Sequence, residues 1–112
     1  MAEYVLLIIG DDDAYQALDA EAGQAVLAQH MEFMGALEAA GVPTTYGAEL
    51  HPPAMARTVR PDGTVTDGPF AEAKEQVGGF YVIDVPTVEE AVGWARRIPM
   101  LPGDAIEVRP AK

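Results

Sequence analysis

The 112-residue chain contains neither cysteine nor serine. The absence of cysteine excludes disulfides, thiolate nucleophiles and zinc–thiolate sites. The absence of serine excludes a Ser-His-Asp hydrolase, and the absence of cysteine excludes its thiol counterpart. Catalysis through a serine or cysteine nucleophile is therefore ruled out.

Basic residues are scarce as well. The chain has 7 Lys and Arg against 18 Asp and Glu, which gives a formal net charge of −11 at pH 7. Phosphate contacts need clustered Lys and Arg, yet the basic side chains adjoin only at Arg96-Arg97. We therefore expect no nucleic-acid binding and interpret the acidic excess as a solvated surface.

No apolar run in the chain is long enough to span a membrane. Residues 5–9 form an aliphatic run that is also too short for the core of a signal peptide. We therefore expect a cytoplasmic location and no membrane partner. With 49% hydrophobic and 22% charged residues, residues 1–112 are predicted to fold as a single domain.

The first half of the chain predicts a strand, a helix and a second strand. Residues 4–9 are β-branched or aliphatic apart from Tyr4 and end at Gly10, as expected of a strand. The aspartates at 11–13 favour a helix start, because acidic side chains suit the positive end of the helix dipole. Residues 44–50 are predicted to be extended. Between them lies an apolar stripe at helical spacing, formed by Val26, Leu27, His30, Phe33, Met34, Leu37 and Ala40 or Gly41.

The second half predicts a hairpin, a strand, a helix and a closing strand. Asp62-Gly63 would form the hairpin turn between residues 56–60 and 64–66. Residues 79–85 are the strongest internal strand, and Thr87 is suited to cap the helix that follows. Residues 105–110 alternate as a last strand. The long connection at 67–79 predicts a functional loop, since loops of this length in small domains often carry function.

Without the hairpin, the element order is βαββαβ, the ferredoxin-like plan of an α+β protein. A four-stranded sheet with both helices on one face leaves its other face bare. We expect apolar side chains on that bare face, and an exposed apolar patch normally marks a partner. The sequence therefore predicts a homodimer with two sheets facing. The residues expected on the bare face are Tyr4, Leu6, Ile8, Phe80 and Val82.

The segment Asp67-Gly68-Pro69-Phe70 strongly resembles the signature of the DGPF branch of the YCII-related domain family. The resemblance covers essentially the whole chain. It implies a dimeric α+β barrel built from ferredoxin-like subunits, and it implies little about chemistry. Other matching stretches are residues 4–8, His30, Phe33-Met34, residues 78–84, Trp94-Ala95 and residues 106–110.

The same resemblance implies a catalytic pair between a helix histidine and an aspartate that precedes a late proline. His30 matches the helix histidine, but Ile98-Pro99 stands where the late Asp-Pro would be. We therefore predict Asp67 as the carboxylate partner, with His30 and Asp67 acting as a proton-transfer pair. Structural roles stay open for both: a half-buried histidine bonded to a carbonyl or water, and a turn aspartate that accepts backbone N–H bonds.

Four further residues are candidate ligand contacts. Arg57 and Tyr81 would line the sheet surface if the hairpin folds over it. Lys74 would contact an anion, and Phe70 would anchor the loop. Each also has a plain structural or solvated role as its alternative.

Two other features are interpreted structurally. Gly78-Gly79 predicts a close backbone approach or a positive φ at the start of the strand. His51 could join His30 at a metal, but the spacing lacks an HxH or HExxH pattern. We therefore predict no metal and no cofactor.

Two functions of different classes remain open, so the sequence does not decide whether the chain is an enzyme. One is a small-molecule enzyme that uses His30 and Asp67. The other is a non-catalytic regulatory module that binds a ligand or a protein partner. The resemblance implies a link to alternative sigma factors, and the negative charge favours protein contacts over DNA contacts.

Overall fold

Four strands form one antiparallel sheet in the computed structural model, which describes residues 2–112. The spatial order of these strands is β2-β5-β1-β6, the order of a ferredoxin-like α+β fold, which confirms the predicted fold class. A separate two-stranded hairpin, β3-β4, is inserted between β2 and β5. The elements are β1 (Ala2–Asp11), α1 (Asp12–Gln16), α2 (Ala20–Ala39), β2 (Thr44–Glu49), β3 (Arg57–Val59), β4 (Val65–Asp67), β5 (Glu75–Val85), α3 (Val88–Ala95) and β6 (Ala105–Pro110).

Each of the three helices begins at a side chain that caps its first turn. The Asp11 carboxylate accepts a hydrogen bond from the Asp13 N–H at 3.0 Å, and the Asp19 carboxylate caps α2 in the same way. The Thr87 hydroxyl accepts from the Glu90 N–H at 3.2 Å. Caps of this kind satisfy backbone donors that a helix leaves free at its start. The predicted helix start at the aspartates and the cap at Thr87 are both confirmed.

The core lies between the sheet and the two longer helices, α2 and α3. Alternate residues of a strand point to opposite faces, so Leu6 of β1 lies beside Tyr81 of β5 on the helix-facing side. Phe33 and Leu37 of α2 pack onto this face from above. The buried core comprises Tyr4, Leu6, Phe33, Leu37, Tyr81, Ile83, Val85, Ala91, Ala95 and Ile98.

The expectation that Tyr4, Leu6 and Ile8 lie on the bare face is wrong. Tyr4 and Leu6 are buried in the core, and Ile8 packs against it. The opposite parity of β1 supplies the open face, where Val5 and Leu7 pair with Val82 and Phe80. Because nearly every residue of this strand is apolar, hydrophobicity alone does not reveal which parity faces the helices.

The hairpin forms as predicted, with Gly63 at φ 88° in its turn. Gly68 adopts a φ of 97° directly after β4, a backbone region that favours glycine. Its N–H donates to the Ala56 carbonyl at 2.8 Å, and its carbonyl accepts from the Thr58 hydroxyl at 2.9 Å. The glycine of the Asp-Gly-Pro-Phe segment therefore connects the end of the hairpin to its beginning.

β5 begins at Glu75, earlier than the predicted start at residue 79. The pairing with β1 skips one residue, because Ile8 pairs with Gly79 and Ile9 pairs with Val77. Gly78 is the extra residue of this β-bulge, which keeps the ladder running through the double glycine. Because β5 begins early, the connection after β4 is shorter than predicted.

Within residues 2–112, no helix has the length and apolar character needed to cross a membrane.

Candidate functional site

His30 and Tyr81 meet in the space between α2 and the sheet. The His30 Nδ1 atom lies 2.7 Å from the Tyr81 Oη atom, and the two rings stack at 27° with centroids 6.0 Å apart. Phe33, one turn after His30, packs on the Tyr81 ring at a centroid distance of 5.0 Å. The helix stripe and the strand alternation thus bring together two side chains that are distant in the sequence.

Gly47 of β2 makes room for the Tyr81 ring. It pairs with Tyr81 across the two strands, and a Cβ atom built on it would lie 3.1 Å from Tyr81 Cδ1 and 3.1 Å from the Phe80 carbonyl oxygen. Such distances are closer than ordinary van der Waals contact. A side chain at position 47 would therefore push the tyrosine away from its present position.

His30 and Tyr81 line a cavity of about 310 Å³. Its walls come from α1, the middle of α2, the neighbouring ends of β1, β2 and β5, and the connection before β6. This volume is at the lower end of the range for small-molecule sites. Apolar residues of the lining include Ile8, Val26, Leu27, Met34, Pro99, Met100 and Leu101, and polar ones include Asp11, Asp12, Tyr15, His30, Glu49, Tyr81 and Asp104.

Burial favours the neutral form of both members of the pair. It lowers the pKa of His30 below its ordinary value, and this effect exceeds the opposite effect of the Glu49 carboxylate. Burial also raises the pKa of Tyr81, with a smaller contribution from Glu49 in the same direction. A neutral phenol is a good O–H donor and a neutral imidazole has one acceptor nitrogen. Which of Tyr81 Oη and His30 Nδ1 donates depends on the tautomer of the imidazole, and the function proposed below takes Tyr81 as the donor.

Glu49 is a functional candidate that sequence reasoning missed. Its backbone lies opposite Gly79, on the same strand parity as Gly47, and its side chain lines the cavity. The field of its carboxylate reaches Tyr15 as well, whose pKa is raised first by burial and then by Glu49. The predicted strand at residues 44–50 could have identified Glu49, since alternation places residues 47 and 49 on the same face of the sheet.

Asp67 does not reach His30 within this chain. Its Oδ1 atom lies 3.1 Å from Arg57 Nε, because the hairpin register places Asp67 directly opposite Arg57. The pair is on the solvent-exposed hairpin, and neither residue lines the cavity. The predicted contact between His30 and Asp67 is therefore not made within the chain, and the roles proposed for Asp67 and Arg57 stay predictions.

Phe70 and Lys74 lie outside the cavity as well. Phe70 is 76% exposed and carries the Arg60 guanidinium 5.0 Å above its ring centroid, so it does not anchor the loop in the core. Lys74 lines a second depression together with Asp11, Asp12, Asp13 and Glu72. Carboxylates beside the lysine weaken the prediction that it binds an anion.

The close approach predicted at the double glycine is confirmed at Gly79. A Cβ atom there would lie 3.0 Å from the Ala48 carbonyl oxygen. Of the six predicted site residues, only His30 and Tyr81 come together at the cavity. Arg57, Asp67 and Phe70 belong to the hairpin region, and Lys74 belongs to the adjoining depression.

Comparison with known proteins gives a family match and a similar protein. The model of the YCII-related domain family matches residues 2–112. An uncharacterized protein of Rhizobium meliloti (strain 1021) is 47% identical over 55 residues, which are 49% of this chain and 40% of that protein. The similarity thus spans less than half the length of this relative, while the family match includes both the cavity and the hairpin.

Proposed function

This chain belongs to the YCII-related domain family, and we propose that it is a small-molecule enzyme in which His30 and Tyr81 transfer a proton. The observation that carries the proposal is the 2.7 Å contact between His30 Nδ1 and Tyr81 Oη in the wall of the cavity. Pairs of titratable groups with shifted pKa values in a cleft are typical of acid–base sites.

The pair can move a proton in two linked transfers. Tyr81 gives its O–H proton to His30 Nδ1 while its oxygen takes a proton from the substrate. The products of this step are a substrate anion, a neutral phenol and an imidazolium ion. The reverse sequence returns a proton to the substrate, at the same atom or at a neighbouring one, so that the net result is exchange or isomerisation.

Glu49 has a defined place in this scheme. Its carboxylate raises the pKa of His30, which means that it stabilises the imidazolium form. A histidine held neutral by burial can accept a proton, and a carboxylate nearby then favours the charged product. Glu49 is therefore proposed to stabilise the imidazolium and not to accept the proton itself.

The first test measures proton exchange at carbon. Cyclohexanone and phenylacetone carry weakly acidic C–H bonds next to a carbonyl, and their exchange in D₂O is followed by proton NMR. We expect the protein to accelerate exchange and His30→Ala to lose most of the acceleration, about a hundredfold or more, as expected when a general base is removed. Tyr81→Phe should lose a comparable share because it breaks the relay.

Gln24→Ala is a suitable control for the exchange assay. Gln24 lies on the exposed side of α2, the helix that carries His30, and it does not line the cavity. This variant should exchange both ketones at the rate of the unmodified protein. Equal exchange rates with the unmodified chain and with His30→Ala would contradict proton transfer by the pair.

A regulatory module that binds a protein partner is the second candidate, and one observation favours it. The hairpin exposes Val59 at 68% and its cross-strand partner Val65 at 58%, and Phe70 in the segment after the hairpin is 76% exposed. Exposed apolar groups close together mark interaction surfaces. A link to alternative sigma factors would use this surface. His30→Ala should leave partner binding intact in that case, whereas it should abolish catalysis in the first.

Three further proposals concern the oligomeric state, the branch of the family and the location of the protein. We propose a homodimer through the open face of the sheet, supported by the half-buried apolar side chains Val5, Leu7, Phe80 and Val82. We propose the DGPF branch of the family, on the segment that begins at Asp67. The cytoplasmic location expected from the composition also stays a prediction.

A further inference from the structure

The charges around the cavity are of one sign. Four carboxylates line it, from Asp11, Asp12, Glu49 and Asp104, and no Lys or Arg of residues 2–112 does so. The chain as a whole carries −11 at pH 7, so the surrounding field adds to the local one. An anionic ligand would enter this cavity against both.

Three of these carboxylates already have hydrogen-bond donors within the chain. Asp11 accepts from the Asp13 N–H at 3.0 Å, Asp104 accepts from the Leu101 N–H at 2.8 Å, and Asp12 accepts from the Gln16 amide at 3.5 Å. The Glu49 carboxylate has no hydrogen bond or ion pair with any residue of 2–112. It is therefore the cavity carboxylate with both oxygens free of a hydrogen-bond partner among residues 2–112.

The surroundings of Glu49 suit an organic cation. Its field reaches two phenols and one imidazole of the cavity, those of Tyr15, Tyr81 and His30. Aromatic faces and phenol oxygens attract an ammonium group. Among residues 2–112 no three His, Asp or Glu side chains are grouped in a way that could hold a metal ion, so the donor geometry does not favour a bare metal cation.

The remaining lining of the cavity is largely apolar and suits an apolar group in the same ligand. Val26, Leu27 and Met34 border the cavity from α2, and Met100 and Leu101 border it from the connection before β6. Leu27, Met34 and Met100 are more than 40% exposed, and a ligand that covers them removes apolar surface from water.

We propose that the cavity binds a small protonated amine that carries an apolar group, with the ammonium at Glu49 and the apolar group against α2 and Met100. This inference rests on the proposed function, because it names the ligand class for the same cavity. The same charges disfavour anionic metabolites as ligands of this site.

The test compares three probes that share a phenylethyl group and carry a cationic, a neutral or an anionic terminal group. Phenethylamine is a cation at pH 7, 2-phenylethanol is neutral and 3-phenylpropionate is an anion. Dissociation constants come from protein NMR titrations in 150 mM salt, using shifts of the His30 and Tyr81 resonances to locate binding. We expect phenethylamine to bind about fivefold more tightly than 2-phenylethanol, the range expected of a partly exposed ion pair, and 3-phenylpropionate to bind most weakly.

Two variants separate the local charge from the overall charge. Glu49→Gln should bring the affinity for phenethylamine down to that for 2-phenylethanol. Glu38→Gln removes the same charge from an exposed position of α2 outside the cavity, and it should keep the preference for the amine.

Three other outcomes would each overturn the proposed ligand class. Equal binding of amine and alcohol, with shifts at His30 and Tyr81, would overturn the ligand class and leave the proposed function standing. Preference for 3-phenylpropionate would do the same. Absence of binding by all three probes at millimolar concentration would overturn the ligand class, while the exchange assay with the two ketones would still decide the proposed function by itself.

Discussion

The place of Tyr81 in the site depends on the strand that carries it and on the helix that packs over that strand. Its position on β5 follows from strand alternation, and its partner His30 follows from the apolar stripe of α2. Both could be selected from the sequence as site residues. Their contact could not, because the lateral position of a helix over a sheet depends on side-chain packing that periodicity does not encode. Asp67 was the nearest carboxylate by motif, yet the hairpin register pairs it with Arg57.

Replacing the neighbours of His30 should shift its pKa in opposite directions. Glu49→Gln should lower the pKa of His30 further, because Glu49 raises it in the unmodified chain. Tyr81→Phe should raise the pKa, because a donor that bonds to Nδ1 stabilises the neutral imidazole. Both shifts are measured by NMR titration of the imidazole resonances, and Glu38→Gln is the control that should leave the pKa unchanged.

The Tyr81→Phe result also tests the direction of the hydrogen bond. A lower pKa of His30 in this variant would mean that Nδ1 carries the proton and donates it to the phenol oxygen. The proton relay would then have to begin at the other ring nitrogen, and the two transfers proposed above would be contradicted.

At the scale of elements, the sequence predicts starts and turns better than strand faces. Capping residues such as Asp11 and Thr87, and the glycine turn at Gly63, act locally and can be recognised within a few residues. The start of β5 depends instead on pairing with β1 through a bulge at Gly78, which is a non-local event. The parity of β1 was also mistaken, because its inward and outward residues are equally apolar.

Gly47 and Gly35 both lack a positive φ. Replacing each of them by alanine should change the stability of the fold, in opposite directions. Gly47→Ala should destabilise the fold by about 1 kcal/mol or more, because its Cβ would crowd Tyr81 and the Phe80 carbonyl. Gly35 lies inside α2, where an added Cβ atom would meet no side chain and no other element within 4 Å. Gly35→Ala should therefore stabilise the fold by about 0.5–1 kcal/mol through helix propensity.

Urea unfolding of the three proteins measures this pair of changes. The Gly47→Ala variant should also alter the Tyr81 and His30 resonances, whereas Gly35→Ala should leave them in place. Equal stability of Gly47→Ala and the unmodified chain, with unchanged resonances, would show that the sheet edge adjusts without moving Tyr81.

At the scale of the whole molecule, the chain forms two layers, in which helices cover one face of the four-stranded sheet and the other face is open. Its smallest extent is 20 Å, about the thickness of one helix layer on one sheet. The open face of that sheet carries Val5, Leu7, Phe80 and Val82, and Tyr46 packs beside Phe80 at a centroid distance of 5.9 Å. The sequence predicted such a face from topology alone, although it named the wrong parity of β1.

A polar atom on the same face also lacks a partner. The Asp84 Oδ1 atom is buried without a hydrogen bond to any residue of 2–112, and Asp84 pairs with Glu3 across the strands. A buried acceptor without a donor costs about 1–3 kcal/mol. If a second copy covers this face, as proposed, it buries the apolar residues, whereas Asp84 Oδ1 is already shielded by the chain itself.

A charge placed in the centre of the open face should therefore separate the two copies. We expect the unmodified chain to sediment at about twice its 11.9 kDa and Leu7→Glu to sediment as a monomer, because burying two unpaired carboxylates in the interface costs several kcal/mol. Val59→Glu adds the same charge at an exposed hairpin position and should remain dimeric. Circular dichroism confirms that each variant is folded. A folded Leu7→Glu dimer would mean that the copies associate elsewhere, and a monomeric unmodified chain at micromolar concentration would mean that the face has no second copy to cover it.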